Sequence, residues 1–383
     1  MTRVLFSSTW GYGHLFPLFP LARAFARAGH EVVVATSADS CPHVAAAGLP
    51  AAPAGLCGTQ LQESLRVCHS AGASVAPEQR ASFVFPHMFG ETFTPPMAAD
   101  LLPFARGWRP DLIVHEQGEL AAPLVGEVLG VPTMTHAFGG AVPASFISEA
   151  GSRLASLWAD HGRTAPPYAG CYTSSYIDIC PTAVQSVPLS HIGAIQPLRP
   201  VPDTGPSPEE QPDYLRSDDR PLVYLTFGTV QRPRNLQPVM AALAALPIRL
   251  LVALGPNGNP SELGDQPDNV RVERWVHQPS VLARCSVVVS HAGSGTFLGA
   301  LSHGLPQLCL PQAADQFRNA EGGRRAGAVL VLSPSETTPE AITEAVARLL
   351  AEEHFRVRAH EVAAQIQAMP SADAVVAQLT QRL

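Results

Sequence analysis

Short aliphatic runs, each followed by a break and then a helically spaced stripe, recur along this chain. The first run occupies 3–6 and breaks at Gly11-Tyr12-Gly13-His14. A helix is expected from about Pro17, with Leu18, Leu21, Ala22 and Phe25 on one face. Pro17 and Pro20 suit a first helical turn, where a missing N–H removes no bond. Gly29-His30 closes that helix and 31–35 is the next strand, so the chain opens with a βαβ unit and parallel strands. Further strands are expected at 111–115, 131–136 and 176–179. Between 54 and 103 neither period is sustained, although Phe83, Phe85, Met88, Phe89, Phe93 and Met97 fall there. An irregular segment of that length reads as a lid or binding loop.

The proline-rich polar stretch at 200–212 is the clearest boundary. It separates an N-terminal domain (1–200) from a linker (201–212), a second domain (213–370) and a closing helix (371–383). The second domain repeats the alternation: a strand at 222–226, a helix near 236–246, a strand at 249–253, and the β-branched run Val287-Val288-Val289. That run ends in His291-Ala292-Gly293-Ser294-Gly295-Thr296 and passes at once into the helical spacing of Phe297, Leu298 and Leu301. A strand that stops at glycines and becomes a helix aims unpaired N–H groups, and the positive helix end, at one point. Such a point suits a phosphate or pyrophosphate, and glycine lets the anion approach closely. The turn alone reads equally as a helix start capped by Ser294 over a packed His291. Strands at 307–310 and 329–332 and three helices complete the chain.

With 383 residues, 46% hydrophobic and 15% charged, the composition is that of a globular protein with room for two cores. A net charge of −7 without a Lys/Arg block argues against nucleic acid as a partner. The seven cysteines form no C-x-x-C pair, which fits a reducing cytoplasm and no zinc site. Residues 1–8 read as a strand, not a signal peptide, and no run of 18 apolar residues offers a membrane span. The chain has no Asp-x-Asp, so no required metal is expected, and no cofactor is expected beside the substrates.

Four elements in order, Trp275-Val276-His277-Gln278, His291 to Thr296, Gly304-Leu305-Pro306 and Asp315-Gln316-Phe317-Arg318-Asn319-Ala320, resemble the nucleotide-sugar signature of the GT-B glycosyltransferases. The likeness is to the inverting family that decorates antibiotics and other natural products. Gly13-His14-Leu15-Phe16-Pro17 resembles that family's Gly-His-x-x-Pro segment. The resemblance implies an α/β fold of two facing, doubly wound parallel-sheet domains with an interdomain cleft, and a helix from Ser371 that crosses back to the first domain. It implies a metal-independent transfer of a deoxyhexose from a dTDP-sugar to a hydrophobic aglycone such as a polyketide.

By the same resemblance His14 is the general base, a role its near-neutral titration suits. Glu116, where the family more usually has aspartate, orients it. The diphosphate would meet Gly293, Ser294, Gly295 and Thr296, the imidazole of His291 and the hydroxyl of Thr229. Asp315 and Gln316 would hold the sugar. Trp275 would lie against the base, the Val276 backbone would pair with its edge, and Gln278 would contact the nucleoside. Some members carry a ribose-gripping glutamate where this chain has Gly299, which points to dTDP over UDP. Phe83, Phe85, Met88, Phe89 and Phe93 would line a flat apolar acceptor site, although a core role explains each of them as well. The implied partners are two small molecules, the donor and the aglycone; monomer and homodimer both stay open. Two other readings remain: a nucleotide-sugar 2-epimerase on the same fold, which the phenylalanine segment and His14 oppose, and a non-catalytic nucleotide-sugar-binding accessory protein, which His14, Asp315 and Gln316 oppose.

Overall fold

The computed structural model describes residues 1–76, 79–202, 213–215, 219–229, 236–256 and 258–381. Most of the expected linker, 203–212, lies outside them. The chain divides into two compact units: Met1–Cys180 with Val187–Arg199 and Met369–Leu383, and Pro181–Ser186 with Pro200–Ala368.

The first unit holds seven parallel strands: β1 (Arg3–Ser7), β2 (Glu31–Thr36), β3 (Ala51–Pro53), β4 (Leu112–Glu116), β5 (Thr133–His136), β6 (Ser175–Asp178) and β7 (Ile195–Pro197). Their order is β3-β2-β1-β4-β5-β6-β7. A parallel sheet covered by helices on both faces buries its central strands completely, so Val4, Leu5 and Phe6 in β1 and Leu112, Ile113 and Val114 in β4 form unbroken apolar runs. The edge strands β3 and β7 have three residues each, too few to show a period. The helix after β1 begins earlier than expected: Gly11 caps a turn at Tyr12–Leu15, Pro17 lies in the 3₁₀ turn Phe16–Leu18, and Phe19–Arg27 follows.

The segment expected to be irregular is helical. Helices span Gly58–Gly72, Arg80–Phe85 and Thr94–Trp108, and Pro86–Phe93 is a π-helix. In the first, Leu61, Leu65, Cys68 and Gly72 bury a narrow stripe at i, i+4, i+7 and i+11, with only three apolar side chains larger than glycine. The prolines that obscured the pattern sit mostly in first turns: Pro86 opens the π-helix, and Pro95 and Pro96 stand in the first turn of Thr94–Trp108. The helix Ala372–Thr380, capped by Ser371 Oγ, belongs to this unit; it packs on Phe19–Arg27, and Asp373 meets Arg27 at 2.6 Å.

The second unit holds β8 (Leu222–Thr226), β9 (Arg249–Ala253), β10 (Val270–Glu273), β11 (Val287–Ser290), β12 (Gln307–Cys309) and β13 (Val329–Val331), all parallel, in the order β10-β9-β8-β11-β12-β13. Alternation divides its core: Val223, Leu225, Val287 and Val289 face one helical layer, and Tyr224 and Val288 the other. Strand order reverses between β1 and β4 in one unit and between β8 and β11 in the other. At such a point the loops leaving the two strands diverge to opposite faces and open a crevice at the carboxyl ends. Among the described residues no helix is long and apolar enough to cross a membrane.

Candidate active site

In the first unit the reversal brings together the two residues assigned to acid–base chemistry. Register pairing of Ser7 with His115 sets the ends of β1 and β4 side by side. His14 lies in the helical turn just past β1, and Glu116 is the last residue of β4, one step inside the expected position. His14 Nδ1 is 3.1 Å from Glu116 Oε2. Glu116 is fully buried and also accepts from Thr9 Oγ1 at 2.8 Å, from Thr9 N at 3.3 Å and from Gly118 N at 2.5 Å. Burial pushes its pKa up, but the opposing pull of His14, Gly118 and Thr9 outweighs it, and the carboxyl stays below its ordinary value. It is therefore ionised at neutral pH. His14 thus presents its Nδ1 edge to the carboxylate.

A second buried carboxyl stands close by. Glu119 accepts from the N–H groups of Ala121 and Ala122. Burial pushes it up to about 7, aided by the charge of Glu116 and opposed by those N–H groups. Its side chain also lines a small cavity with Ser8, Thr9, Ser37, Phe93 and Met97. Of the five residues expected to line an acceptor site, Phe85, Met88 and Phe93 are buried, the last two in a cluster with Leu61, Leu65 and Cys68. Phe83 is exposed and meets His87. Phe89 is the one whose ring lies against His14.

In the second unit the glycine turn follows β11 as expected, with one correction. Gly293, not Ser294, is the N-cap of the helix Ser294–Ser302, and no side chain caps it. The first-turn N–H groups of Ser294, Gly295 and Thr296 thus converge without a side-chain acceptor, the arrangement an anion fills. His291 lies beneath this turn, packed so tightly that a Cβ on Gly228 would stand 2.7 Å from its Cε1 and one on Gly293 would run into the ring. Burial lowers its pKa to about 4, against the pull of Asp315 and the Thr226 backbone, so the ring is neutral. Thr229 follows Gly228 at the end of the neighbouring strand β8, half-buried.

Ser294 instead donates to Asp315 Oδ2 at 2.6 Å. Asn319, to which no sequence signal assigns a role, ties the two loops together: its Nδ2 lies 2.9 Å from Ala292 O, 3.0 Å from Ser294 Oγ and 2.9 Å from Asp315 Oδ2. Gln316 Oε1 accepts from Gln312 N and Ala313 N, which holds its amide in place. Ala292 and Ala314, each one residue before Gly293 and Asp315, adopt left-handed φ values of 62° and 57°, strain that clusters where loops are held to a purpose. Gln278 Nε2 donates to Thr296 Oγ1 at 3.1 Å. Val276 is buried, while the indole of Trp275 is 44% exposed, an apolar face open to a ligand. A Cβ on Gly299 would meet Leu282 Cδ1 and Pro202 Cγ, both at 3.2 Å, a tight contact that those side chains would have to yield to. Among the described residues no three His, Cys, Asp or Glu side chains cluster as a metal site.

Two family models cover most of the chain. Erythromycin biosynthesis protein CIII-like, N-terminal domain, matches residues 23–228, and the C-terminal domain of the same description matches 237–382. The chain is 35% identical over 361 residues to the L-demethylnoviosyl transferase of Streptomyces niveus, spanning 91% of this chain and 89% of that one. Among solved structures it is similar to Spinosyn Forosaminyltransferase SpnP, with a TM-score of 0.81 and 27% identity over 100% of this chain and 99% of the other. It is similar also to the glycosyltransferase VinC in complex with DTDP, with a TM-score of 0.79 and 26% identity over 99% and 98%. The chain belongs to the erythromycin biosynthesis protein CIII-like family and is a natural-product glycosyltransferase with the GT-B fold.

Proposed function

We propose that this enzyme transfers a deoxyhexose from a dTDP-sugar to a hydroxyl of a hydrophobic natural-product aglycone, with inversion and without a metal. The observation that carries the reading is His14 Nδ1 held 3.1 Å from the buried, ionised Glu116. A negative charge beside Nδ1 favours the proton there, so that Nε2 acts as the base, and it stabilises the imidazolium once a proton arrives. As Nε2 takes the hydroxyl proton, the acceptor oxygen bonds to the anomeric carbon. The bond from that carbon to the diphosphate breaks, and its electron pair leaves on the diphosphate oxygen. A single displacement inverts the anomeric centre.

The leaving charge needs fixed donors, and the N–H groups of Ser294, Gly295 and Thr296 supply them with neutral His291 and the Thr229 hydroxyl beside them. Asp315 and Gln316, each braced by internal hydrogen bonds, present the remaining polar atoms to sugar hydroxyls. Trp275 offers its face to the base, with Val276 and Gln278 next to it. For the nucleotide, Gly299 offers no carboxylate to a ribose 2′-OH, which favours a deoxyribose donor. VinC, similar over almost its full length, binds DTDP.

The test is direct. His14→Ala is expected to lose transfer while its affinity for dTDP by calorimetry stays within about twofold of wild type. The product's anomeric configuration, read by proton NMR, should be opposite to the donor's. A His14→Ala enzyme with near-normal turnover, or a retained configuration, removes the mechanism; tighter binding of UDP than dTDP removes the donor assignment.

A further inference from the structure

Glu116 restrains one edge of the His14 imidazole, and two phenylalanine rings confine the rest. The Phe138 centroid is 4.2 Å from the imidazole centroid at an interplanar angle of 44°, and the Phe89 centroid is 5.3 Å away at 35°. On the edge near Cδ2, a Cβ on Gly11 would stand 3.2 Å away, so only glycine fits there without pressing on the ring. Between Glu116 and Phe89 lies Gly118, whose N–H donates to Glu116 Oε2; a Cβ there would sit 3.1 Å from that oxygen and 3.2 Å from the Phe89 ring.

Neither ring arrives by chance. Phe138 stands in the loop after β5, the strand next to β4, two residues beyond His136. Phe89 is carried by the π-helix Pro86–Phe93, a geometry that is rare and tends to occur at functional positions. Named side chains hold that helix. Thr94 Oγ1 donates to the Phe89 carbonyl at 2.5 Å and Thr92 Oγ1 to the His87 carbonyl at 3.1 Å. Glu91 accepts from Arg153 of the helix Ala144–Arg153 at 2.6 Å, and Gly90 lies so near that helix that a Cβ would stand 3.0 Å from Ala150 O. An ordinary α-helical turn in this segment would rotate Phe89 off the imidazole.

We propose that Phe89 and Phe138 are positioning residues: together they clamp the His14 ring against Glu116 and keep Nε2 directed at the acceptor hydroxyl. A general base works only within hydrogen-bond reach of its proton, and a displacement of about 1 Å can lower a rate about 10²-fold. The carboxylate contact at Nδ1 sets one edge of this part-exposed imidazole, and the two rings packed against it oppose rotation about that edge. The inference rests on His14 being the base.

The experiment uses the full chain, with Phe138→Leu, Phe89→Leu and Phe138→Tyr, and follows both turnover and the His14 ring nitrogens by ¹⁵N NMR. The Leu variants should lower kcat between about tenfold and a hundredfold, with the acceptor KM within about threefold and dTDP affinity unchanged as the control for folding. Their His14 resonances should broaden or split. Phe138→Tyr, which keeps the ring, should restore both readouts. Should a Leu variant fail to fold, Gly118→Ala presses on Phe89 and Glu116 with a single methyl and should give the same spectral change. Leu variants with wild-type kcat, an effect confined to the acceptor KM, or a His14 spectrum that does not change would overturn the clamp. If wild type transfers no sugar at all, the functional reading fails, while the His14 spectrum still decides whether the rings hold the imidazole.

Discussion

Replacing Glu116 with glutamine tests the acid–base assignment most sharply, because it keeps the shape and removes the charge. A glutamine carbonyl in place of Oε1 can still accept from Thr9, while the NH₂ replaces Oε2, which now accepts from Gly118. Its NH₂ would then face His14 Nδ1, 3.1 Å away, and that nitrogen would have to become the acceptor. The proton would move to Nε2, and the base would be blocked in the wrong tautomer. The charge matters as well: at 3.1 Å and an effective dielectric near 20, the carboxylate stabilises an imidazolium by about 5 kcal/mol. Charge-assisted hydrogen bonds measured by mutation are worth less, about 1.5–3 kcal/mol. Taking about 3 kcal/mol, kcat should fall about 10²-fold from charge alone, and further from the tautomer. Steady-state kinetics with a dTDP-sugar and an acceptor measure kcat, and calorimetry with dTDP confirms that the donor site is untouched. A Glu116→Gln enzyme within about threefold of wild-type kcat would show that the carboxylate does not serve His14.

Three further outcomes are expected. Trp275→Ala removes a half-exposed indole, so stability should change by no more than about 0.5 kcal/mol, while lost base stacking, worth about 1–3 kcal/mol, should weaken dTDP binding about 5- to 150-fold; unchanged affinity would mean the indole is not the base platform. Asn319→Asp sets a second carboxylate beside Asp315 Oδ2, now 2.9 Å from the amide, and leaves the Ala292 carbonyl without its donor. It should lower stability by about 2 kcal/mol and raise the KM for the dTDP-sugar more than it weakens dTDP alone; equal effects on both would deny Asn319 its hold on the sugar-side loop. Acidification should destabilise the fold between pH 6.5 and 4. His115, His136 and His291 are buried neutral with pKa lowered from 6.5 to about 4, so across that window the unfolded chain binds protons that the native one does not. Each contributes up to about 3 kcal/mol by this linkage. Glu119, raised from 4.5 to about 7, works in the opposite direction, but it is one group against three. Urea midpoints at pH 7.5 and 5 measure the balance, and equal midpoints would refute it.

The central strands were legible because a sheet buried on both faces demands apolar runs such as Val287-Val288-Val289, and such runs are rare elsewhere in the chain. Edge strands β3 and β7 were not, since three residues facing less packing carry no pattern. The helix Gly58–Gly72 carries little signal because its buried stripe is Leu61, Leu65, Cys68 and Gly72, the last of which has no side chain to mark it. The π-helix was illegible for a stronger reason: its period differs from that of both α-helix and strand, and Pro86 reads as a break. Motif resemblance placed His14, Glu116 and the glycine turn, yet it could not show that Ser294 is spent on Asp315 or that Asn319 bridges the two loops. Those are contacts between segments some twenty residues apart, visible only once the turn and the Asp315 loop lie side by side. The same holds for Phe138, a lone aromatic after a strand, which no local signal sets apart.

Both units build their half of the chemistry at the same topological place, and opposite electrostatics distinguish them. Where β1 and β4 diverge, the fold sets an ionised carboxylate against the imidazole that, in the proposed mechanism, accepts a proton. Where β8 and β11 diverge, it sets backbone N–H groups and an imidazole held neutral by burial, which in the proposed mechanism meet a leaving group with its own negative charge. An uncharged partner at His14 would leave the imidazolium unsupported. The glycines at 228 and 293 enforce the second arrangement sterically, since a methyl at either would strike the His291 ring. Thr9 and Gly118 enforce the first, since their donated hydrogen bonds keep Glu116 ionised inside the fold. A single parallel-sheet plan therefore serves two chemistries because the side chains at its switch point, not the strands, set the sign of the local field.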